Sequence, residues 1–159
     1  MKQQRVKEAA EKKKDAPAFD NRRARHEFFI LESLEAGLVL TGTEVKSVRA
    51  GNISINEAYA RFRDGEAWLL GLYIPPYKEG SFSNVEPNRP RKLLLRKEQI
   101  IRMQGRVAEK GLTVVPLRLY FTRGLAKVEL GLAKGKKLWD KREASAKRDV
   151  QREIARHTR

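Results

Sequence analysis

Three arginines lie close together just before the first apolar run of the chain. Arg22, Arg23 and Arg25 fall within four residues, and His26 follows them directly. Guanidinium groups form charge-assisted, paired hydrogen bonds with phosphate oxygens, although such a run can also serve only to keep a protein in solution. Because the rest of the chain is also basic, we favour phosphate binding. His26 alone is interpreted as a hydrogen-bonded side chain rather than a catalyst.

A second basic segment, Gly131 to Lys137, has the sequence GLAKGKK. A phosphate-binding loop of the Walker type needs four residues between its glycines and a Ser or Thr after its lysine. Here three residues intervene, and Lys137 follows Lys136. The pattern therefore does not predict nucleotide binding. It predicts a cationic hinge whose lysines, Lys134 included, attract phosphate, or a solvated linker, and the two interpretations are compatible.

One aromatic residue, Trp139, is surrounded by cations in the segment Lys136 to Arg142. An aromatic ring among cations is typical of single-stranded RNA binding, in which stacking on one base contributes about 1–3 kcal/mol. The alternative is that Trp139 packs onto the folded body. Its neighbours are unsuited to a core, so both interpretations stay open at this point.

Residue types that carry catalysis or bind metals are few and scattered. The chain has no Cys, its two histidines (His26 and His157) are far apart, and Glu35, Glu44 and Glu57 are dispersed. The sequence predicts no metal site, no cofactor and no enzyme. Catalytic groups can also be assembled from distant positions, and the scatter of these residues disfavours an enzyme.

The net charge of +15 points to an anionic partner: RNA, DNA or an anionic membrane. The charge is concentrated at the ends, since residues 1–26 carry +5 and residues 134–159 carry +6. No stretch approaches the roughly 20 apolar residues of a membrane span, and the first residues lack the apolar segment of a secretory signal. We therefore expect a cytoplasmic protein.

The middle of the chain has the alternating pattern of β-strands. Asp64-Gly65 separates two such runs, and Thr122-Arg123-Gly124 separates two more, so two hairpins are predicted. Thr43 and Gly51 are interpreted as the start and stop signals of a short helix. A second helix is predicted over residues 97–109. Its buried residues would be Ile100, Ile101 and Met103. Six aromatic residues are assigned to the core: Phe28, Phe29, Phe62, Trp68, Tyr73 and Phe121.

Many short strands with little helix predict a mainly β fold, a small OB-like β-barrel. We expect three parts. Residues 1–20 form a disordered basic extension, residues 21–133 form the RNA-binding barrel, and residues 134–159 form a basic tail. The tail has too few apolar residues to pack on the barrel, so we expect it to be unfolded when free and helical when bound. Composition alone fits a structural ribosomal protein or another rRNA-binding OB module equally well.

Four segments of the chain together resemble the SmpB family, the SsrA-binding proteins. They are Asn21 to Ile30, Glu35 to Leu38 with Glu44 to Gly51, Arg91 to Leu95, and Gly131 to Arg142. The resemblance implies an OB-like barrel that binds the tRNA-like domain of transfer-messenger RNA (tmRNA, or SsrA RNA) for trans-translation. It also implies that the tail lies in the empty mRNA channel of a stalled bacterial ribosome. Elongation factor Tu with alanyl-tmRNA would be an indirect partner, and the protein would act as a monomer.

The resemblance also assigns residues. Asn21, Glu35 and Leu94 match family positions tied to RNA binding, and Lys92 falls where the family meets RNA. The full predicted RNA-binding set is Asn21, Arg22, Arg23, Arg25, His26, Glu35, Lys46, Arg49, Lys92, Leu94, Lys134, Lys136 and Lys137. The predicted ribosome-binding residues of the tail are Trp139, Asp140, Lys141, Arg142, Lys147 and Arg148. Trp139 departs from the family motif, which usually has His at that position.

Overall fold

The computed structural model of the chain describes residues 17–80, 83–109, 111–136 and 138–157. One antiparallel sheet of seven strands dominates these residues, with the order β1-β6-β7-β2-β5-β4-β3. The strands are β1 (Phe19–Asp20), β2 (Phe28–Leu38), β3 (Tyr59–Arg63), β4 (Glu66–Leu70), β5 (Arg91–Leu94), β6 (Leu112–Thr122) and β7 (Leu125–Gly135). The helices are α1 (Arg22–Glu27), α2 (Gly42–Ala50), α3 (Lys97–Val107) and α4 (Leu138–His157). The predicted mainly β class is confirmed.

The sheet curls but does not close. Cα atoms of β3 and β6 come within 8 Å of each other. Nevertheless, no ladder of hydrogen bonds among the described residues joins these two strands. A groove lined by Phe62, Val107 and Thr113 lies at this junction. The predicted OB-like barrel is therefore not confirmed, because the sheet is unclosed and β3 remains an edge strand.

Both predicted hairpins are present, and their turns show why the sequence predicts them. Asp64 and Gly65 join β3 to β4 with φ values of 51° and 74°, and Arg123 and Gly124 join β6 to β7 with 53° and 77°. Two consecutive residues with positive φ give the turn that matches the twist of paired strands. A glycine in each turn lowers the steric cost of that conformation.

The main core fills the concave side of the sheet. Its most buried members include Ala67, Leu69, Leu93, Met103, Val114, Leu119, Val128, Leu130 and Leu132. Helix α3 contributes Ile100 and Met103, but Ile101 is 61% exposed, contrary to the sequence prediction. Ile100 and Met103 are three residues apart and share a helix face, whereas Ile101 is turned about 100° away from Ile100.

A second, smaller core holds α1 on the convex side of the sheet. Ala24 of α1 packs there with Val115, Leu117 and Ala133, and with the partly buried Phe28 and Ile30. Val114 belongs to the main core and Val115 to the small one. Because successive side chains of a strand point to opposite faces, α1 lies on the outer face of the sheet.

The N-terminal part of the fold differs from the sequence prediction. Strand β1 pairs with β6 through Phe19–Leu119 and Asp20–Arg118, so the sheet begins inside the segment for which disorder was predicted. Residues 1–16 lie outside the described residues. Helix α1 was not predicted, since six residues with one buried side chain carry almost no helical periodicity.

Helix α2 begins two residues earlier than its predicted signal. Its N-cap is Thr41 rather than Thr43, and Thr41 and Glu44 form a reciprocal capping box. Gly51 ends the helix with φ 94°, as predicted. The tail is one helix, α4, over Leu138–His157, and the prediction that it is unfolded when free and helical when bound stays a prediction. None of the described helices is both long and apolar enough to cross a membrane.

Candidate nucleic-acid interface

Asn21 is a buried residue that positions α1. Its side chain is 1% exposed, accepts a hydrogen bond from the backbone N–H of Ala24 (3.0 Å) and donates to the carbonyl of Pro116 (2.8 Å). The backbone N–H of Asn21 donates to the carbonyl of Leu117 at 2.8 Å. With both ends of its amide occupied inside the protein, Asn21 fixes the start of α1, and its predicted role in RNA binding stays a prediction.

The arginines that follow Asn21 project from the short helix it caps. Arg22 and Arg25 are exposed. Arg23 forms ion pairs with Glu27 (3.0 Å) and with Glu57. The hydrogen bond and charge of Glu27, followed by the charge of Glu57, raise the pKa of Arg23. Two of the three guanidinium groups are thus available to phosphate, while the third ties α1 to the segment before β3.

The end of β7 folds back beside α1. The backbone N–H of Lys136 donates to the carbonyl of Glu27 at 2.8 Å, and its ammonium lies 3.4 Å from the carbonyl of Arg25. The same ammonium lies 5.0 Å from the centre of the Phe29 ring. Lys134, which is exposed, pairs in register with Phe29. We call the group formed by the exposed Arg22, Arg25, Phe29 and Lys134 and the partly buried Lys136 the α1 surface.

Phe29 in this surface corrects the assignment of aromatic residues to the core. Its side chain is 44% exposed, and that of Tyr73 is 40% exposed. Phe28 and Phe29 occupy opposite faces of β2, and Phe28 takes the place under α1. A strand with both faces partly covered has no strict alternation, so the sequence could not show which phenylalanine is buried.

Helix α4 lies against α1 through residues of both predicted sets. The guanidinium of Arg148 and Nδ1 of His26 are 3.1 Å apart. Arg142, Lys147 and Arg148 are exposed. The side chains of Lys137, Trp139, Asp140 and Lys141 lie outside the described part of the structure, so those predictions stay predictions.

A second group of predicted residues meets in an open groove of about 840 Å³ on the same outer face of the sheet. Glu35, Lys92 and Leu94 line this groove together with Lys127, Arg96 and Lys97. Leu94 is 56% exposed and pairs in register with Gly37. A Cβ at Gly37 would lie 3.1 Å from Cβ of Leu94, so the glycine leaves room for the leucine on the groove wall.

Glu35 is held in place by two residues that sequence reasoning missed. The hydroxyl of Tyr120 donates a hydrogen bond to its carboxylate, and the ammonium of Lys127 lies 3.9 Å from the same carboxylate. Burial raises the pKa of Tyr120, and the hydrogen bond and charge of Glu35 raise it further, to about 12. Tyr120 and Lys127 pair across β6 and β7, a relation that appears only once the register of the hairpin is known.

The two cations predicted on α2 stand apart from the groove lining. The ammonium of Lys46 lies 5.7 Å from the centre of the Tyr77 ring, and the guanidinium of Arg49 lies 5.5 Å from the centre of the Phe121 ring. Both residues are exposed. Arg49 is therefore next to the strand end that carries Tyr120, whereas Lys46 covers the loop after β4.

A buried ion pair fixes α2 against β5. Arg91 is 0% and Glu44 3% exposed, and their Nε and Oε2 atoms are 2.5 Å apart. Arg91 also donates to the carbonyls of Leu72 (2.6 Å) and Pro87 (2.9 Å), and Arg89 donates to the other oxygen of Glu44. Burial alone would raise the pKa of Glu44, but hydrogen bonds from Arg89, Thr41 and Arg91 outweigh it, so the pKa is lowered.

This ion pair explains part of the sequence resemblance in physical terms. Glu44 and Arg91 lie in two of the four matching segments, yet neither reaches the surface. Arg91 sits one residue before Lys92 and three before Leu94 on β5. The pair therefore holds the strand that presents both groove residues.

Comparison with known proteins assigns the chain to a family. The family model described as "SmpB protein" matches residues 18–159. An SsrA-binding protein of Desulforudis audaxviator is 58% identical over 139 residues, which cover 87% of this chain and 91% of that protein. One from Acidothermus cellulolyticus is 58% identical over 136 residues, covering 86% of each.

A solved structure described as "tmRNA-SmpB: a journey to the center of the bacterial ribosome" is also similar to this chain. It is 58% identical, covers 77% of this chain and 87% of its own, and superposes with a TM-score of 0.66. The family model spans both the outer face of the sheet and the tail. The chain belongs to the SmpB family.

Proposed function

We propose that this protein is a non-catalytic RNA-binding factor of ribosome rescue, which binds the tRNA-like domain of tmRNA and delivers it to stalled ribosomes. The observation that carries the proposal is the 58% identity, over 139 residues, to a protein named for SsrA binding. The related solved chain is described together with tmRNA and the bacterial ribosome. The proposed site of action is the bacterial cytoplasm.

The folded body supplies the RNA-binding part of this proposal. The α1 surface offers four cations and an exposed aromatic ring, and the groove offers Lys92, Lys127 and Leu94 beside the carboxylate of Glu35. The groove and α1 lie on the outer face of the sheet, whereas Phe29 and Lys134 project from the other face of β2 and β7 at the edge beside α1. Cations that bind phosphates position a folded RNA, while a carboxylate and an apolar side chain restrict what fits between them.

The tail supplies the ribosome-binding part. Helix α4 has 20 residues, so it is about 30 Å long. Arg142, Lys147 and Arg148 are exposed along it, and Trp139, Asp140 and Lys141 belong to its first turn. A cationic helix of this length fits a channel lined with RNA phosphates, such as an empty mRNA channel. Elongation factor Tu with alanyl-tmRNA would join the complex through the RNA, with the protein acting as a monomer.

A truncation after Lys136 tests this division of labour. It removes α4 and keeps the contacts of Lys136 with α1. We expect nearly unchanged affinity for the transcribed tRNA-like domain, measured by filter binding, together with loss of peptide tagging on ribosomes stalled without a codon. The control is the full chain with Arg152→Gln, which removes one exposed cation of the tail but keeps α4. It shows how much the loss of a single tail charge changes RNA affinity and tagging. Loss of RNA affinity on truncation would contradict the assignment of RNA binding to the body.

A further inference from the structure

The strand register places a cation, an indole and a second cation in one row across β3, β4 and β5. Arg61 pairs with Trp68, and Trp68 pairs with Lys92. Directly paired residues of antiparallel strands project from the same face, with Cβ atoms about 4.5–5.5 Å apart. Arg61, Trp68 and Lys92 therefore form a continuous row, which we call the Trp68 row.

The Trp68 row faces away from the core. The strand neighbours of its members point inward: Ala60, Ala67, Leu69, Arg91 and Leu93 are all buried. Arg61 is exposed, the Lys92 side chain is 43% exposed, and Trp68 is only partly buried. Trp68 is thus not a core residue, contrary to the sequence prediction, and its indole is bordered by the two cations.

The charges of this row favour an anionic partner. The ammonium of Lys92 lies 3.2 Å from Glu66, and Arg63, two residues after Arg61, has Asp64 at 3.6 Å. Arg61 forms no ion pair or hydrogen bond with any residue in the described part of the chain. An unneutralised guanidinium beside an aromatic ring binds phosphate and lets a base stack.

The row is continuous with the groove. Lys92 belongs to both, and Leu94 projects from the same face of β5 two residues further on. A strand of RNA that leaves the groove past Leu94 and Lys92 would reach Trp68 next and then Arg61. No helix lies between these positions in the strand order.

We propose that the Trp68 row binds an unpaired nucleotide of the RNA held in the groove, with Trp68 stacking on the base and Arg61 and Lys92 binding the flanking phosphates. This inference rests on the proposed function. It extends the interface from β2 and β5 to the edge strand β3. It also assigns recognition of single-stranded RNA to two residues, Arg61 and Trp68, that the sequence left out of the site.

Tryptophan fluorescence reads this contact directly, because the chain has only two tryptophans. In the full-length Trp139→Phe protein, Trp68 is the only source of indole emission. The probes are the transcribed tRNA-like domain of tmRNA, a single-stranded RNA oligonucleotide and a blunt RNA duplex of equal length. We expect the first two to quench the emission and the duplex to leave it unchanged.

Substitutions in the row then test whether the residues that affect Trp68 emission also determine the affinity for RNA. In the Trp139→Phe background, Trp68→Leu should weaken binding of the single strand about 5- to 100-fold through lost stacking, while Trp68→Phe should retain most of the affinity. Arg61→Gln should reduce the slope of log affinity against log salt by about 1, and the control Arg123→Gln, at the exposed turn between β6 and β7, should not. Arg61 is exposed, so its variant keeps the fold whatever happens at Trp68.

The possible results test the Trp68 row separately from the proposed function in ribosome rescue. Emission that no RNA changes, or affinities that Trp68→Leu and Arg61→Gln leave intact, would overturn the Trp68 row. Emission that changes with protein concentration and not with RNA would also overturn it, because the face would then be a contact between copies. If the single strand quenches Trp68 but the wild-type chain does not bind the tRNA-like domain, the row stands and the proposed function fails.

Discussion

At the scale of single residues, the buried Glu44–Arg91 pair bears most directly on how the groove is held. Each ion would be costly to bury alone, and the pair persists because carbonyls of Leu72, Pro87 and Arg89 accept hydrogen bonds from the other two nitrogens of Arg91. The sequence showed both residues but not their contact, since 47 positions separate them. Only the tertiary fold brings α2 and β5 together.

Removal of one partner of this pair should destabilise the protein strongly. Arg91→Ala leaves a buried carboxylate that only Arg89 neutralises, so we expect the free energy of unfolding in urea to fall by about 3–5 kcal/mol. Arg123→Gln, at an exposed turn, is the matched control and should change it by less than about 0.5 kcal/mol. Equal effects of the two variants would show that the pair adds nothing to stability.

The same pair gives the acid dependence of stability a definite sign. The pKa of Glu44 is lower in the folded state than its ordinary value of about 4.3. Its contribution is therefore present above the unfolded pKa and is lost as the pH falls through the folded pKa. Urea unfolding between pH 6 and pH 3 should show a smaller loss of stability for Glu44→Gln than for the wild type. If the free energy of unfolding fell equally with pH in both proteins, the lowered pKa of Glu44 would be contradicted.

Tyr120 has the opposite dependence, at alkaline pH. Its folded pKa of about 12 lies above the ordinary value of about 10, so its contribution is complete below pH 10 and is lost as the pH rises toward 12. Difference absorbance of the wild type against Tyr120→Phe should show one phenol with a midpoint near 12. A midpoint near 10 would mean that the hydroxyl does not donate to Glu35 in solution.

At the scale of elements, the sequence correctly predicted the two hairpins, because the residues of a turn determine its conformation locally. The Asp64-Gly65 and Arg123-Gly124 turns determine their hairpins within a few residues. What it missed depends on distant contacts: α1 exists because Ala24 finds Val115, Leu117 and Ala133 on the sheet. Asn21 falls in the same class, because its role is visible only through its bonds to Pro116 and Ile55.

The two glycines of α2 form a matched test of helix termination. Gly51 adopts φ 94°, so Gly51→Ala should cost about 1–2 kcal/mol even though no atom lies within 4 Å of the added Cβ. Gly42, at the first helical position, has equally open space and no positive φ. Gly42→Ala should therefore leave the stability unchanged or raise it. Thermal unfolding of the two variants beside the wild type measures both effects. If Gly42→Ala were instead less stable than Gly51→Ala, backbone conformation would not determine the stability of these variants.

At the scale of the whole molecule, the register of the sheet determines the interface, and the sequence could not provide it. The alternating pattern of the sequence correctly predicted a mainly β fold, because alternation is a local property. The order β1-β6-β7-β2-β5-β4-β3 places Leu94 of β5 on one face with Tyr120 and Lys127 of the β6–β7 hairpin, although α3 separates β5 from that hairpin along the chain. In the same order β3 and β6 do not pair. The number of strands alone could therefore not show whether the sheet closes into a barrel.

Selective recovery of RNA from cells tests the central claim most directly. The tagged full-length protein is captured from a bacterial lysate in moderate salt, and the RNA that comes with it is sequenced. We expect strong enrichment of tmRNA over the far more abundant tRNAs, and loss of that enrichment when Glu35 and Lys92 are replaced together by Gln. Recovery of ribosomal RNA alone, as a structural ribosomal protein would give, or of RNA in bulk cellular proportions, would contradict it.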